Sequence, residues 1–416
     1  MKNTLGTLFL ALALAPLAQA AAPQVTVTSF QQVGRRVEIT YDLDADGIVT
    51  ADIVTNDVSI GAQLLTGMYG DVNKAIAAGT GKKIYWSPEA SVNTTFHNAY
   101  AKLTAWALDA PPNYCVLDLT TKSNITYYVS AEAIPFGVAD NIYKTERMVF
   151  RKVPAKGVQF RMGTPGNTSA EIPHRVTFTN DYYLGIYETT KKQANLIWSR
   201  DWNNTPEDDP DYWIKPVDNV PMTVFRGSRT HSPASQGGTL PETTGANGYL
   251  RRLADKTGAE LDLPLEAQWE YACRAGSAEA YYWGSDSADD LGDYAWYAAN
   301  CTNALTNTAE THPVGLKKPN AWGFYDMYGN VGERCNDYYY TGSNYSDGSD
   351  VIEPYGYIKG DETESTQRVV RGGGQGSSAT NCRSAVRGQY WPGEPGTVQY
   401  CGYGYRIWMR PQAYVK

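Results

Sequence analysis

Between residues 24 and about 130, apolar and polar positions alternate in short runs: 25–28, 36–43, 48–55, 83–86 and 99–107, parted by Gly, Asn, Asp and Pro. Alternation of this kind turns one face of each strand to a core and the other to water. About seven short strands in ~100 residues predict a β-sandwich, placed at 23–130. Residues 131–146 read as a linker, and an α+β domain is expected over 147–412. It opens on a strand pair, 148–150 with 158–160. Thr189 or Thr190 is the expected cap of a helix running from Lys191 to Trp202, with Ala194, Ile197 and Trp198 on one face. A second helix from about Gly248 to Lys256 turns Tyr249, Leu250 and Leu253 inward, and Gly258 supplies a left-handed end. A third begins after Pro264, where Leu265 has no capping oxygen, so another group must accept its first N–H donors. From Gly276 onward the pattern is one of turns and short strands, without internal repeats.

Composition narrows the class. Charged residues make up 19% of the 416, while 31 Tyr and 11 Trp suit a loop-rich extracellular protein. A net charge of −8, with no basic stripe carrying interleaved aromatics, argues against a nucleic-acid partner. Lys2, the apolar run Leu5 to Leu17 and Ala18-Gln19-Ala20 form a secretory signal over 1–20, so export to the periplasm, cell surface or medium is expected. No segment is long enough to span a bilayer, and no Cys follows the signal at a lipid-attachment position. Six cysteines (Cys115, Cys273, Cys301, Cys335, Cys382, Cys401) lack C-x-x-C spacing, which disfavours zinc; in an oxidising compartment disulfides are expected, with connectivity open. Cys115 is either free and buried or paired across the domain boundary.

The stretch from His312 to Tyr339 combines turn formers, large aromatics and spaced acids with no helical or strand period, and reads as an ordered loop. Asp326 and Glu333, with Asn330 and nearby carbonyls, are the hard oxygen donors that calcium takes.

Its PVG-x-KKPNAWG-x-YDM-x-GNV-x-E pattern resembles the formylglycine-generating enzyme family, the sulfatase-modifying factors. Further segments agree in order: Phe160 to Pro165, Pro173 to Thr177, Tyr182 to Thr190, Leu263 to Gly276, Val370 to Gly373 and Gly402 to Arg406. The resemblance implies a C-type-lectin-like fold for the second domain. Gly70-Asp71-Val72 with Gly79 to Trp86 resembles the small immunoglobulin-like modules found ahead of such domains, a spacer or docking unit.

Family members oxidise a sulfatase cysteine to formylglycine, and in the aerobic enzymes a cysteine pair just beyond an Arg-Gly-Gly turn holds copper(I). Two soft thiolates suit that ion. Here the segment reads Gly374 to Cys382, with Ser377 at the first thiol by direct count and Cys382 at the second. Aligning Arg383 to Arg387 with a later part of the motif removes both thiols and leaves Cys382 structural. Copper is not expected under either alignment, and four scattered His do not suit the family's iron branch. By resemblance, Asp326 and Glu333 give side-chain oxygens and Gly329 and Val331 give carbonyls to a structural calcium. A second calcium loop is shortened between Trp296 and His312, and no ion is expected there. Ser377, Arg383, Arg387, Tyr390, Trp391, Tyr400 and Tyr403 form the expected ligand-binding cleft, for a peptide, protein or glycan, a sulfatase among the candidates. Taken singly, these aromatics also read as core and both Arg as internal ion pairs. Three functions follow: a calcium-stabilised binding or accessory module without the cysteine-pair chemistry, an active formylglycine-generating oxidase, or a display protein diversified by a retroelement.

Overall fold

The computed structural model describes residues 21–87, 97–167, 169–199, 209–218, 222–226, 248–302, 309–341, 349–352, 367–390 and 402–412. The expected signal segment, 1–20, lies outside them. The chain is mixed α/β, mostly strands with few helices, and its longest described helices have nine residues.

The N-terminal part has two sheets. One has strands Val25–Val33, Arg36–Leu43, Gly79–Trp86 and Met68–Gly70; the other centres on Gly47–Thr55, flanked by Ala99–Trp106 along its whole length and by short Val58–Ser59 and Ala75–Ile76. Asn56 and Asp57 have φ 46 and 64, the left-handed pair that closes a two-residue hairpin between Thr55 and Val58. The inward positions of the alternation, Ile39, Tyr41, Leu43, Val49, Ile76 and Ile84, make one buried cluster.

Two expectations change here. Strands Tyr114–Asp118 and Asn124–Tyr128, which fall inside the 23–130 span, do not join those sheets: the first pairs with Arg147–Val153, Phe150 opposite Cys115. They form one end of a six-stranded sheet, with Asn124–Tyr128 at the edge, completed by Tyr182–Gly185, Trp408–Met409 and Leu261–Asp262. Nor do 147–153 and 159–162 pair with each other; Gln159–Met162 takes His174–Thr177 as its partner. The expected linker includes a 3-10 turn, Ala131–Ala133, a helical turn, Ile142–Thr145, and the buried Ile134 and Tyr143. No helix among the described residues is long and apolar enough to cross a membrane.

The helices follow the apolar spacing. Thr190 caps Lys191–Ile197 through its hydroxyl, which accepts from Gln193 N–H (3.2 Å), while Gln193 Oε1 accepts from Thr190 N–H (3.0 Å). That helix stops short of Trp202 because Trp198 is extended (φ −146, ψ 101). Tyr249–Thr257 buries Tyr249, Leu250 and Leu253 and ends at left-handed Gly258 (φ 73). At Glu266–Arg274 the missing cap is replaced from a distant strand: Asp337 Oδ2 accepts from Glu266 N–H (2.6 Å), and Gln268 Oε1 accepts from Leu265 N–H (3.0 Å). Asp337 lies on Gly332–Tyr338, one of the two inner strands of a sheet with Arg368–Arg371, Gly388–Tyr390 and Tyr403–Gly404.

Candidate functional site

Gly329 and Asn330 hold the loop by its backbone. At Gly329 (φ 73) an added Cβ would sit 2.1 Å from the Trp296 carbonyl oxygen, so only glycine allows this approach. Asn330, also left-handed (φ 55), donates from Nδ2 to Glu188 Oε2 (2.7 Å) and accepts His312 N–H at Oδ1 (2.9 Å). Val331 N–H donates to Glu188 Oε1 (3.1 Å). Glu188 was not among the expected site residues. Its only sequence signal is a single acid between the apolar run Tyr182 to Tyr187 and Thr189.

Around these residues lies a buried charge cluster. Glu333 accepts from Arg406 at both oxygens (Nε 3.1 and 3.0 Å, Nη2 2.6 Å) and from Trp269 Nε1 (2.7 Å). Arg406 spends its other donors on the Gly185 carbonyl (2.9 Å) and the Tyr325 carbonyl (2.7 Å). Asp326 Oδ2 accepts from Gly315 N–H (2.6 Å), and its Oδ1 has no hydrogen-bond partner among the described residues. Burial, then the charges of Asp326 and Glu333, push the Glu188 carboxyl well above its ordinary range. Burial likewise raises Asp326 to about 6, against the Gly315 N–H and Arg406.

The calcium expected here would draw on Asp326 and Glu333 with the carbonyls of Gly329 and Val331. Calcium takes about 6–8 oxygens, and both Glu333 oxygens already carry charge-assisted bonds from Arg406, with which an ion would compete. Arg406 ties Glu333 to the Gly185 and Tyr325 carbonyls.

A second ionic network runs under the expected cleft. Arg371 pairs with Glu270 and with Glu266 (3.0 Å), and donates to the carbonyls of Ser384 (3.0 Å) and Val386 (2.8 Å). Arg387 holds Glu266 bidentately (2.5 and 2.9 Å) and donates to the Tyr340 carbonyl (2.7 Å). Arg383 holds Glu171 in the same way (3.0 and 3.1 Å). Both arginines are therefore committed to internal partners. Tyr390 is buried, stacked under Arg334 (4.8 Å) and 6.0 Å from the half-buried Tyr403 ring. Trp391 and Tyr400 lie outside the described residues.

Asp337, wedged against Glu266, is raised to about 7 by burial and then by that neighbouring charge. Since the unfolded carboxyl titrates near ~3.9, the fold keeps a proton that the unfolded chain has lost. Stability is therefore lost as pH rises from that value through about 7. Asp337→Asn keeps an oxygen for the Glu266 N–H. Its advantage over the wild type in urea unfolding should grow between pH 5 and pH 8, on the order of 1–4 kcal/mol; a difference that is flat with pH would contradict this.

Ser377 and Cys382 flank one glycine. A Cβ on Gly373 would stand 3.1 Å from both Ser377 Cβ and Cys382 Sγ. Ser377 Oγ accepts from Gly374 N–H (2.9 Å), and Cys382 is fully buried. One hydroxyl and one thiol are not a donor pair for soft copper(I). The expectation of disulfides does not hold for Cys115, Cys273 or Cys335, which are buried free thiols, each on a separate element inside the core. Burial raises the Cys273 thiol to about 12, and Cys115 and Cys335 are also pushed up. Cys401 lies outside the described residues.

Residues 139–406 match the family described as Sulfatase-modifying factor enzyme 1-like domain. Over 239 residues the chain is 26% identical to "Chaperone protein LppX" of Paenibacillus barcinonensis, covering 51% of this chain and 75% of that protein. It is 32% identical over 274 residues to "Serine/threonine-protein kinase pkn1" of Chlamydia pneumoniae, covering 63% of this chain and 38% of that one. It is 36% identical over 120 residues to the formylglycine-generating enzyme of Streptomyces coelicolor, covering 27% of this chain and 35% of the enzyme. The chain thus spans well under half the length of the latter two. Among solved structures, Treponema denticola variable protein 1 aligns with a TM-score of 0.48 at 22% identity, covering 64% of this chain and 96% of the other. With 139–406 matched and formylglycine-generating enzymes among its relatives, the chain belongs to the sulfatase-modifying factor enzyme 1-like family.

Proposed function

We propose that this protein is an exported binding or accessory member of its family that does not carry out cysteine-pair oxidation. The observation that carries the reading is the Ser377/Cys382 pair beside Gly373: the family chemistry needs two thiolates for copper(I), and here one of the two positions is a hydroxyl. The similarity to a protein named as a chaperone supports an accessory role. In this reading the two N-terminal sheets are an immunoglobulin-like spacer. The partner of the second domain is a peptide, protein or glycan, a sulfatase being one such protein. The Arg406–Glu333 pair does the work expected of calcium.

The test is mass spectrometry of a Cys-x-Pro-x-Arg peptide incubated with the folded mature chain, oxygen and copper(I), beside an active family enzyme. The expected result is an unchanged cysteine. Conversion to formylglycine would make the chain an oxidase and overturn the reading.

A further inference from the structure

Where the N-terminal sheets approach the six-stranded sheet, a cavity of about 300 Å3 opens beside the strand Gly47–Thr55. One edge of that strand is laddered throughout by Ala99–Trp106. The other edge is covered only at its ends, Gly47 and Ile48 by Ala75–Ile76, and Val54 and Thr55 by Val58–Ser59. Between these, Asn73 N–H donates to the Val49 carbonyl (2.7 Å) and Ile60 N–H to the Ile53 carbonyl (3.0 Å). In an antiparallel strand every second residue turns both its backbone groups to the same edge. Ala51 therefore presents N–H and C=O to this edge together with Val49 and Ile53. It lines the cavity, and no backbone group of the described residues reaches it there. With the positions on either side taken, the gap admits one residue of an incoming chain and not a strand.

The charges beside the gap say which residue that is. Lys102 and Asp52 stand opposite each other in the ladder and both line the cavity. Asp52 Oδ1 accepts from Ser59 Oγ (2.8 Å), whereas Lys102 enters no ion pair among the described residues. Leu65 and Met68 add an apolar wall.

We propose that this cavity captures the carboxylate end of a peptide whose last residue is apolar. The terminal N–H donates to the Ala51 carbonyl, the carboxylate accepts from Ala51 N–H and the Lys102 ammonium, and the terminal side chain packs on Leu65 and Met68. The groups that bind, Ala51, Lys102, Leu65 and Met68, all belong to the N-terminal part, so the site stands whether or not the second domain is an oxidase.

The test is fluorescence polarisation of the full mature chain with fluorescein-labelled Gly-Ser-Gly-Ser-Leu, as the free acid and as the C-terminal amide. The free acid should bind saturably and the amide about tenfold more weakly, the loss of a charged hydrogen bond. Lys102→Ala, at an exposed position, should weaken the acid to the level of the amide. Ala133→Trp, which fills the cavity from the 3-10 turn, should abolish binding. Equal binding of acid and amide, an unaffected Lys102→Ala variant, binding that survives in Ala133→Trp, displacement by N-acetylglucosamine, or no saturation at millimolar protein would each overturn the proposal.

Discussion

Arg406→Leu should destabilise the second domain by about 3–5 kcal/mol, the cost of stranding a buried charge. Arg406 and Glu333 are 0% and 1% exposed at the side chain, so no water can replace the lost partner. The variant leaves Glu333 with only Trp269 Nε1 and frees the Gly185 and Tyr325 carbonyls. Glu188 and Asp326, already raised by burial and then by neighbouring acids, lose the Arg406 charge that lowers both. Urea unfolding followed by tryptophan fluorescence measures the loss. The double variant Arg406→Leu with Glu333→Leu should recover part of it, because the stranded charge is gone. A loss below about 1 kcal/mol would show that another cation holds Glu333, and calcium would return as the candidate.

Arg371→Met should cost a similar ~3–5 kcal/mol for a different reason. Its guanidinium joins two acids of one helix, Glu266 and Glu270, to the chain at Ser384 and Val386. Burial alone would raise the Glu270 carboxyl, but Arg371 and Arg274 outweigh it and hold the group below its ordinary value. A depressed carboxyl contributes stability above the unfolded pKa and loses it as pH falls through the folded one. The gap between wild type and Arg371→Met in urea unfolding should therefore be full at pH 7 and shrink below about pH 4.5. A gap independent of acid would mean that the arginine acts by packing on Trp269, whose ring lies 5.6 Å from it.

How much the sequence disclosed depended on range. The helix Tyr249–Thr257 and its Gly258 end were legible because apolar spacing and a left-handed glycine are local signals. The need for a substitute cap at Leu265 was legible too, but Asp337, which supplies it from 71 residues away, was not. Strand Tyr114–Asp118 carries a continuous buried run, Cys115 to Leu117, rather than an alternation, and neither it nor Asn124–Tyr128 holds a local signal that says which sheet it joins. At the site, Asp326, Asn330 and Glu333 were found by donor type. Glu188 and Arg406 were missed as their partners because their contacts are 142 and 73 residues distant. Arg383 and Arg387 read both as cleft residues and as internal ion pairs, and the acids that hold them, Glu171 and Glu266, were not legible because they lie far away in the chain.

The central claim, that this family member lacks a copper-holding thiol pair, is tested most directly by copper(I) competition. The folded chain is titrated against a chromophoric copper(I) chelator, in parallel with Cys382→Ser. The prediction is that the wild type withdraws no stoichiometric copper(I) and matches Cys382→Ser. Uptake of one equivalent, lost in Cys382→Ser, would contradict the account and restore the oxidase.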